Sequence, residues 1–343
     1  MLEFNCMPDH FYRLNRIVFT FIILTVILIS TSDLSCSAKE YPGPPEAITV
    51  GATPLELNLL LYVAEERGFF TNNGIQVVFK DYDTGAAATE GLLRDEVDIG
   101  LAFESVIVGN ILRKQDVIDL ATIDKAILFY IVVRNDRSIN TFADLKGRKI
   151  GIPRQTIMEF FLGRTLELNR LSIQQVNMVN IAPLNSLASI ASGDFDAIVT
   201  FEPHVTDIKK KLGNTVTIWP VQGNQMSYWS VIGTSKWINA HSELARRFFK
   251  SLTQAEEYFF LHDAEARVIL INRLKYDESY VADVWSQNQF GLSLDKSLII
   301  AMEDEARWMI SNSLTTEKQM PNFNNYIYED ALKAVKPAAV NIR

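Results

Sequence analysis

Leu92-Leu93-Arg94-Asp95-Glu96-Val97-Asp98-Ile99-Gly100-Leu101-Ala102-Phe103-Glu104 is written again, 98 residues downstream, as Ile190-Ala191-Ser192-Gly193-Asp194-Phe195-Asp196-Ala197-Ile198-Val199-Thr200-Phe201-Glu202. Asp98 matches Asp196, Phe103 matches Phe201, and Glu104 matches Glu202. Each copy reads as the end of a helix, a tight acidic turn, a buried strand, and Phe-Glu where the strand stops. Ligands of open α/β sheets sit outside the carboxyl ends of the strands. A Phe-Glu pair at two such ends therefore predicts two similar lobes facing one another.

Working upstream, Ile48 to Pro54 corresponds to Ile150 to Thr156, each a β-rich run ending in a polar loop. Helical stretches follow, from about Leu57 to Phe70 and from about Met158 to Asn169, and then the strands Ile75 to Phe79 and Val176 to Ile181. Both halves spell strand, helix, strand, helix, strand, the alternation of a mostly parallel α/β domain. A near-constant offset across three elements marks a duplication rather than a coincidence of pattern.

The 343 residues suffice for two domains, and 48% hydrophobic with 22% charged residues is a globular composition. A net charge of −8 argues against a nucleic-acid partner, which needs clustered Lys and Arg. The densest basic run, Lys209-Lys210-Lys211, reads as a solvated helix end.

Residues 1–38 read as targeting. Arg13 and Arg16 precede the apolar run Ile17 to Ile29, which falls short of the ~20 residues a spanning helix needs and fits a secretory signal. Two processing readings compete. Leu34-Ser35-Cys36 resembles a lipoprotein signal, with Cys36 lipidated; Asp33 departs from the aliphatic residue that pattern prefers. Cys36-Ser37-Ala38 is instead small-x-small and directs ordinary cleavage after Ala38. Either way the protein is expected outside the cytoplasmic membrane, touching it only through a lipid anchor if at all. Cys6 and Cys36 are the only cysteines, so the exported body holds neither a thiol nucleophile nor a thiolate metal site. Residues 39–46, rich in proline, read as an extended spacer.

In the body, residues 47–137 are read as the first part of lobe 1, 138–227 as lobe 2, and 228–343 as a return to lobe 1 with C-terminal helices. Thr84 reads as an N-cap whose small successors, from Gly85 on, leave first-turn amides open to a ligand. Val117 to Ile123 and Ile127 to Val133 are β runs, and the crossing between lobes is expected near Arg134 to Asn140. Ser230 to Thr234 would carry the chain back. From Ser242 onward the spacing reads as helical, with Leu244, Phe248, Phe249, Leu252 and Phe259 on one face.

These residues carry a family resemblance. Leu61 to Phe70 with Asn73-Gly74-Ile75, Asp144-Leu145-Lys146-Gly147-Arg148-Lys149-Ile150-Gly151-Ile152, and Ser192-Gly193-Asp194-Phe195-Asp196-Ala197 with Phe201-Glu202-Pro203 are similar, in order, to motifs of exported solute-binding proteins. The subgroup serves nitrate, sulfonate, taurine and thiamine-precursor uptake by ABC transporters. The resemblance spans Ala47 to about Val335. It implies a two-lobed periplasmic-binding-protein-like (type II) α/β fold with two crossover strands and a helical C-terminal segment. It also implies a small-molecule solute held between the lobes, a permease and ATPase as partners, a monomer, and no cofactor. Mapped onto this chain, the pocket would use Pro54, Leu55, Glu56, Thr84, Gly85, Phe103, Glu104, Ser105 and Asp124 from the first lobe. The second lobe would give Gln155, Thr156, Ile157, Phe201 and Glu202. The returning crossing, at Gln225, Met226, Tyr228 and Trp229, is a further candidate.

Glu56, Glu104, Asp124, Glu159 and Glu202 fall on or beside loops expected to face the cleft, against Lys125 and Arg154. Unneutralised carboxylates disfavour a buried anion, whereas an amino-bearing or pyrimidine-like solute would pair with them and stack on Phe103 and Phe201. A sulfonate, taurine or nitrate ligand is the alternative within the family. For catalysis, His204, His241 and His262 lack metal-ligand spacing and read as surface or capping residues, and no nucleophile-elbow, phosphate-loop or dinucleotide motif is present. A related branch of the fold makes pyrimidines with a cysteine-rich stretch that this body lacks. A ligand-binding partner of a separate sensor remains the other output.

Overall fold

A computed structural model describes residues 41–342. The targeting segment and Cys36 lie outside the described residues. Twelve strands form two sheets: β1 (Glu46–Ala52), β2 (Ile75–Asp81), β3 (Ile99–Phe103), β4 (Ile118–Ala126), β5 (Phe129–Arg134), β6 (Lys149–Ile152), β7 (Asn177–Asn180), β8 (Ala197–Phe201), β9 (Val216–Pro220), β10 (Ser227–Gly233), β11 (Asn288–Asp295) and β12 (Val340–Asn341). The first sheet has the order β12-β11-β4-β10-β3-β1-β2 and the second β7-β6-β8-β5-β9.

The duplication is visible in the strand order. β2-β1-β3 in one sheet and β7-β6-β8 in the other are parallel throughout. Beside each runs an antiparallel strand that has just crossed from the other lobe: β10 against β3, and β5 against β8. The repeated aspartate does the same work twice. Asp98 accepts from the Thr49 N–H at 2.7 Å and Asp196 from the Lys149 N–H at 2.9 Å, so each acidic turn is tied to the first strand of its lobe. β3 and β8 are buried along their whole length, as expected of strands covered on both faces.

The chain crosses earlier than expected. β4 ends at Ala126 in the first sheet and β5 begins at Phe129 in the second, so only Ile127 and Leu128 lie between the sheets, and the boundary at 137 is corrected to 127–128. Both β runs are legible in the sequence, but the polar stretch Arg134 to Asn140 after the second reads as the break between lobes, whereas the chain crosses at two apolar residues that carry no Gly or Pro. The return crossing lies between Pro220 and Ser227. Gln222, 4% exposed, joins the two passages: its Nε2 donates to the Ala126 carbonyl at 2.6 Å and its Oε1 accepts from the Leu128 N–H at 3.0 Å.

Two further expectations change. The segment after Ser242 is not purely helical: β11 alternates Phe290, Leu292 and Leu294 inward, a half-buried strand between β4 and the short edge strand β12. The helices of this segment do not serve lobe 1 alone. Ser242–Leu261 packs on Leu59–Glu66 of the first lobe, where Phe248 stacks on Phe70 at 5.4 Å. Lys296–Ser311, by contrast, touches both Glu104–Leu112 and the second-lobe helix Ile157–Leu168. In the described part of the spacer, Tyr41 is docked rather than free, its N–H donating to Asn72 at 2.9 Å and its ring lying 4.2 Å from the Arg247 guanidinium.

Candidate functional site

The two repeated phenylalanines meet across the crossing. Phe103 stands opposite Trp229 in the β3–β10 pair, and Phe201 opposite Phe129 in the β8–β5 pair, so each lobe presents one cross-strand aromatic pair. Phe103 lies 4.7 Å from Trp229 and 5.3 Å from Phe129, and Phe129 lies 6.3 Å from Phe201. Trp229 is fixed by its Nε1–H, which donates to Asn58 at 2.8 Å, while Asn58 donates to the Thr53 carbonyl at 2.7 Å. His204, the first residue of its helix, is half-buried and meets Phe201 edge-on at 5.1 Å, and burial lowers its pKa.

These rings line a narrow cavity of about 30 Å³ between the lobes, completed by Leu55, Thr84, Gly85, Thr156 and Ile157. Two helices start at it. Thr84 accepts from the Ala87 N–H at 3.1 Å and caps Gly85–Leu93, and Gly85 is required because a Cβ there would lie 2.9 Å from the Ala102 Cα. Thr156 instead donates to the Pro153 carbonyl at 2.8 Å, so the helix Ile157–Leu168 begins without a side-chain cap. Amides and partial positive charge at both starts favour an acceptor-rich group.

The carboxyl groups are disposed differently from the expectation. Glu56, Glu104, Asp124 and Glu202 do not line this cavity; all four are buried against protein. Glu104 accepts from the Tyr228 N–H at 2.8 Å, Asp124 from the Gln289 N–H at 2.9 Å, and Glu202 from the Thr206 N–H at 3.0 Å. Glu56 faces Tyr276. Burial pushes Glu56 up to about 7 and Glu104 up to about 8, and raises Asp124 and Glu202 as well. Glu104 therefore stays mostly protonated at neutral pH, which removes much of the negative charge counted from sequence. Tyr228 also misses the cavity, because alternation along β10 turns Trp229 toward it and Tyr228 away, beside Lys125 at 5.2 Å. Pro54 is exposed and does not line it either.

Ser105, Gln155 and Glu159 line a second cavity of about 170 Å³, next to the first and sharing Val106 and Thr156 with it. Sequence reasoning missed Thr53, Asp83, Phe129, Met158 and Trp308 among the lining residues. Thr53 and Met158 flank motif positions and were within reach; Phe129 and Trp308 enter only through the crossing and the C-terminal helix. A larger groove of about 500 Å³ lies on the first lobe between Leu59–Glu66 and Asp263–Leu274. Its two arginines are paired, Arg67 to Glu265 at 2.9 Å and Arg273 to Glu65 at 2.7 Å, and it carries none of the repeated Asp, Phe or Glu residues. Among the described residues no group of three or more His, Cys, Asp or Glu is placed to hold a metal.

Known proteins resemble this chain in sequence and share its fold. A family model described as NMT1/THI5 like matches residues 58–266. The putative binding protein YtlA of Bacillus subtilis (strain 168) is 26% identical over 214 residues, 60% of this chain and 63% of that protein. The formylaminopyrimidine-binding protein of Halalkalibacterium halodurans is 20% identical over 258 residues, 73% of this chain and 77% of that protein. The match thus spans a little under two thirds of YtlA. The alkanesulfonate-binding protein SsuA from Xanthomonas axonopodis pv. citri, bound to MOPS, superposes with a TM-score of 0.71 at 16% identity, over 84% of this chain and 99% of that one. The desulfurization enzyme DSZB shares the fold too, with a TM-score of 0.63 at 18% identity over 85% of this chain and 99% of that one.

Proposed function

The chain belongs to the NMT1/THI5-like family, and from that premise we propose that it is an exported solute-binding protein. It captures a small, ring-bearing organic solute between its lobes and hands it to the permease and ATPase of an ABC importer. The observation that carries this reading is the meeting of two cross-strand aromatic pairs, Phe103 with Trp229 and Phe129 with Phe201, at one interlobe cavity. A flat heteroaromatic ring stacks on such walls, and its acceptor atoms suit the amides at Gly85 and Ile157. A pyrimidine-like solute fits this description, as the name of the relative from Halalkalibacterium halodurans suggests. A strongly cationic amine does not, because four of the five carboxyl groups counted from sequence, Glu56, Glu104, Asp124 and Glu202, face protein and not cavity.

A second reading, a sulfonate or taurine ligand, draws on the same amides and on the arginines of the adjoining cavity. At about 30 Å³ the aromatic cavity is far below the ~300 Å³ at which ligand pockets begin, so a solute enters by the lobes parting. Delivery to a separate sensor is the alternative output. Export by the N-terminal signal, with either cleavage after Ala38 or anchoring through Cys36, belongs to this proposal, as does a monomeric state.

Isothermal titration with formylaminopyrimidine, neutral aromatic amides, aromatic carboxylates, taurine and alkylsulfonates tests it, with Trp229 fluorescence as a second readout. Ring compounds are expected to bind at least tenfold tighter than taurine, and to be recovered unchanged by mass spectrometry. Preference for taurine overturns the ring assignment; chemical conversion of the ligand overturns the binding role.

A further inference from the structure

The second cavity has a chemistry of its own. It is lined from three directions: Ser105 and Arg113 on the first-lobe helix, Arg154 and Glu159 on the second lobe, and Trp308 on the C-terminal helix. Ser105 is 2% exposed and Trp308 4% exposed, yet the Ser105 hydroxyl and the Trp308 Nε1 have no hydrogen-bond partner in the protein. Arg154 Nε and Glu159 Oε1 also lack a hydrogen bond, and because buried polar groups are nearly always paired, four such atoms on residues lining one cavity, three of them donors, call for an occupant. Its charge is equally lopsided. Arg154 pairs with Glu159 at 2.8 Å, while Arg113 donates to Asn110 at 3.2 Å and forms no ion pair among the described residues. The wall therefore carries two guanidinium groups against one carboxylate, and Glu159 already accepts from the Gln155 N–H at 2.9 Å.

We propose that this cavity is a second compartment of the ligand site, which takes an oxyanion group (carboxylate, sulfonate or phosphonate) attached to the ring held by the aromatic cavity. The proposal rests on the ring-binding reading above and specifies what the solute carries at its other end. Size supports the division of labour. The compartment's volume of about 170 Å³ has room for a charged group and a short linker without the lobes parting. The compartments adjoin at Val106 and Thr156, which line both. Guanidinium groups and an indole N–H supply directional donors to an oxyanion, against a single wall carboxylate, Glu159, that Arg154 already meets at 2.8 Å.

The probes are phenylacetate, 3-phenylpropanoate and 4-phenylbutanoate, each titrated at pH 7.5 against its matching alcohol on the full-length chain. At one chain length the carboxylate is expected to bind at least tenfold tighter than the alcohol. Trp308→Phe removes the N–H and keeps the ring, and Arg113→Gln changes an exposed residue without touching the core. Each is expected to cut the carboxylate-to-alcohol ratio at least threefold. A ratio unchanged in both variants, or carboxylates no tighter than alcohols in the parent, overturns the compartment. Hexanoate separates the two readings. If it binds as tightly as the phenyl acids and still weakens in the variants, the compartment stands and the ring assignment falls. Phenyl alcohols that bind as tightly as their carboxylates keep the ring assignment and remove the compartment.

Discussion

Glu104 Oε2 accepts a hydrogen bond from the Tyr228 N–H at 2.8 Å, tying the end of β3 to the strand that returns from the second lobe, while Oε1 is buried without a partner. Burial, reinforced by the negative charge of Asp119, pushes this carboxyl up to about 8. Glu305, equally buried and facing Glu104, is raised well above its ordinary range. An acid whose folded pKa exceeds its unfolded value makes the native state hold the extra proton between the two values. Stability then falls as pH rises from about 4.5 to about 8, by about 1.4 kcal/mol per pH unit for each proton retained. The melting temperature is expected to decline from pH 5 to pH 8, and Glu104→Gln to flatten that slope and melt higher than the parent at pH 8. A parent profile that rises over this window would contradict the assignment.

The duplicated aspartates are expected to be equivalent in energy as they are in geometry. Asp98→Ala and Asp196→Ala each remove a charged acceptor from a strand amide, and each should cost about 1.5–3 kcal/mol in urea denaturation. Asp196 should lie at the upper end because the Arg137 guanidinium also approaches it, at 3.6 Å. A cost confined to one of the pair would mean that the repeat is one of sequence only.

Phe129 is the ring at which both lobes meet, 5.3 Å from Phe103, 5.7 Å from Phe161 and 6.3 Å from Phe201. Phe129→Ala should destabilise by about 3–5 kcal/mol and weaken ring ligands more than tenfold. Phe201→Ala, at the cavity surface, should lose affinity with a smaller stability cost. The comparison of melting curves with titrations separates the two effects.

Gly163 sits beneath the indole of Trp308, where an added Cβ would stand 2.1 Å from the Trp308 Cζ2. Gly163→Ala is expected to cost about 1–3 kcal/mol through overpacking, and to blue- or red-shift tryptophan emission as the indole moves. An unshifted spectrum with unchanged stability would mean that the C-terminal helix and second lobe are looser than their contacts indicate.

Phe103 and Phe201 are legible in the sequence because a repeat and a strand end mark them, and local pattern is enough to find both. The direction of the Glu104 side chain is not, because it depends on an amide 124 positions away that only the return of β10 brings near. The first crossing is hidden because Ile127-Leu128 carries no turn residue and the polar stretch Arg134 to Asn140 looks like the break, and Trp308 by the apparent independence of the C-terminal helices. Local periodicity records which face of an element is buried; it does not record which neighbour buries it.

The single carboxamide of Gln222 grips Ala126 and Leu128 of the outgoing passage, and the Ser227 hydroxyl of the incoming one donates to the same Ala126 carbonyl at 2.8 Å. The two connections are thereby spliced into a single axle. A parting of the lobes is expected to proceed as a turn about that line, because sliding one passage along the other would break these hydrogen bonds.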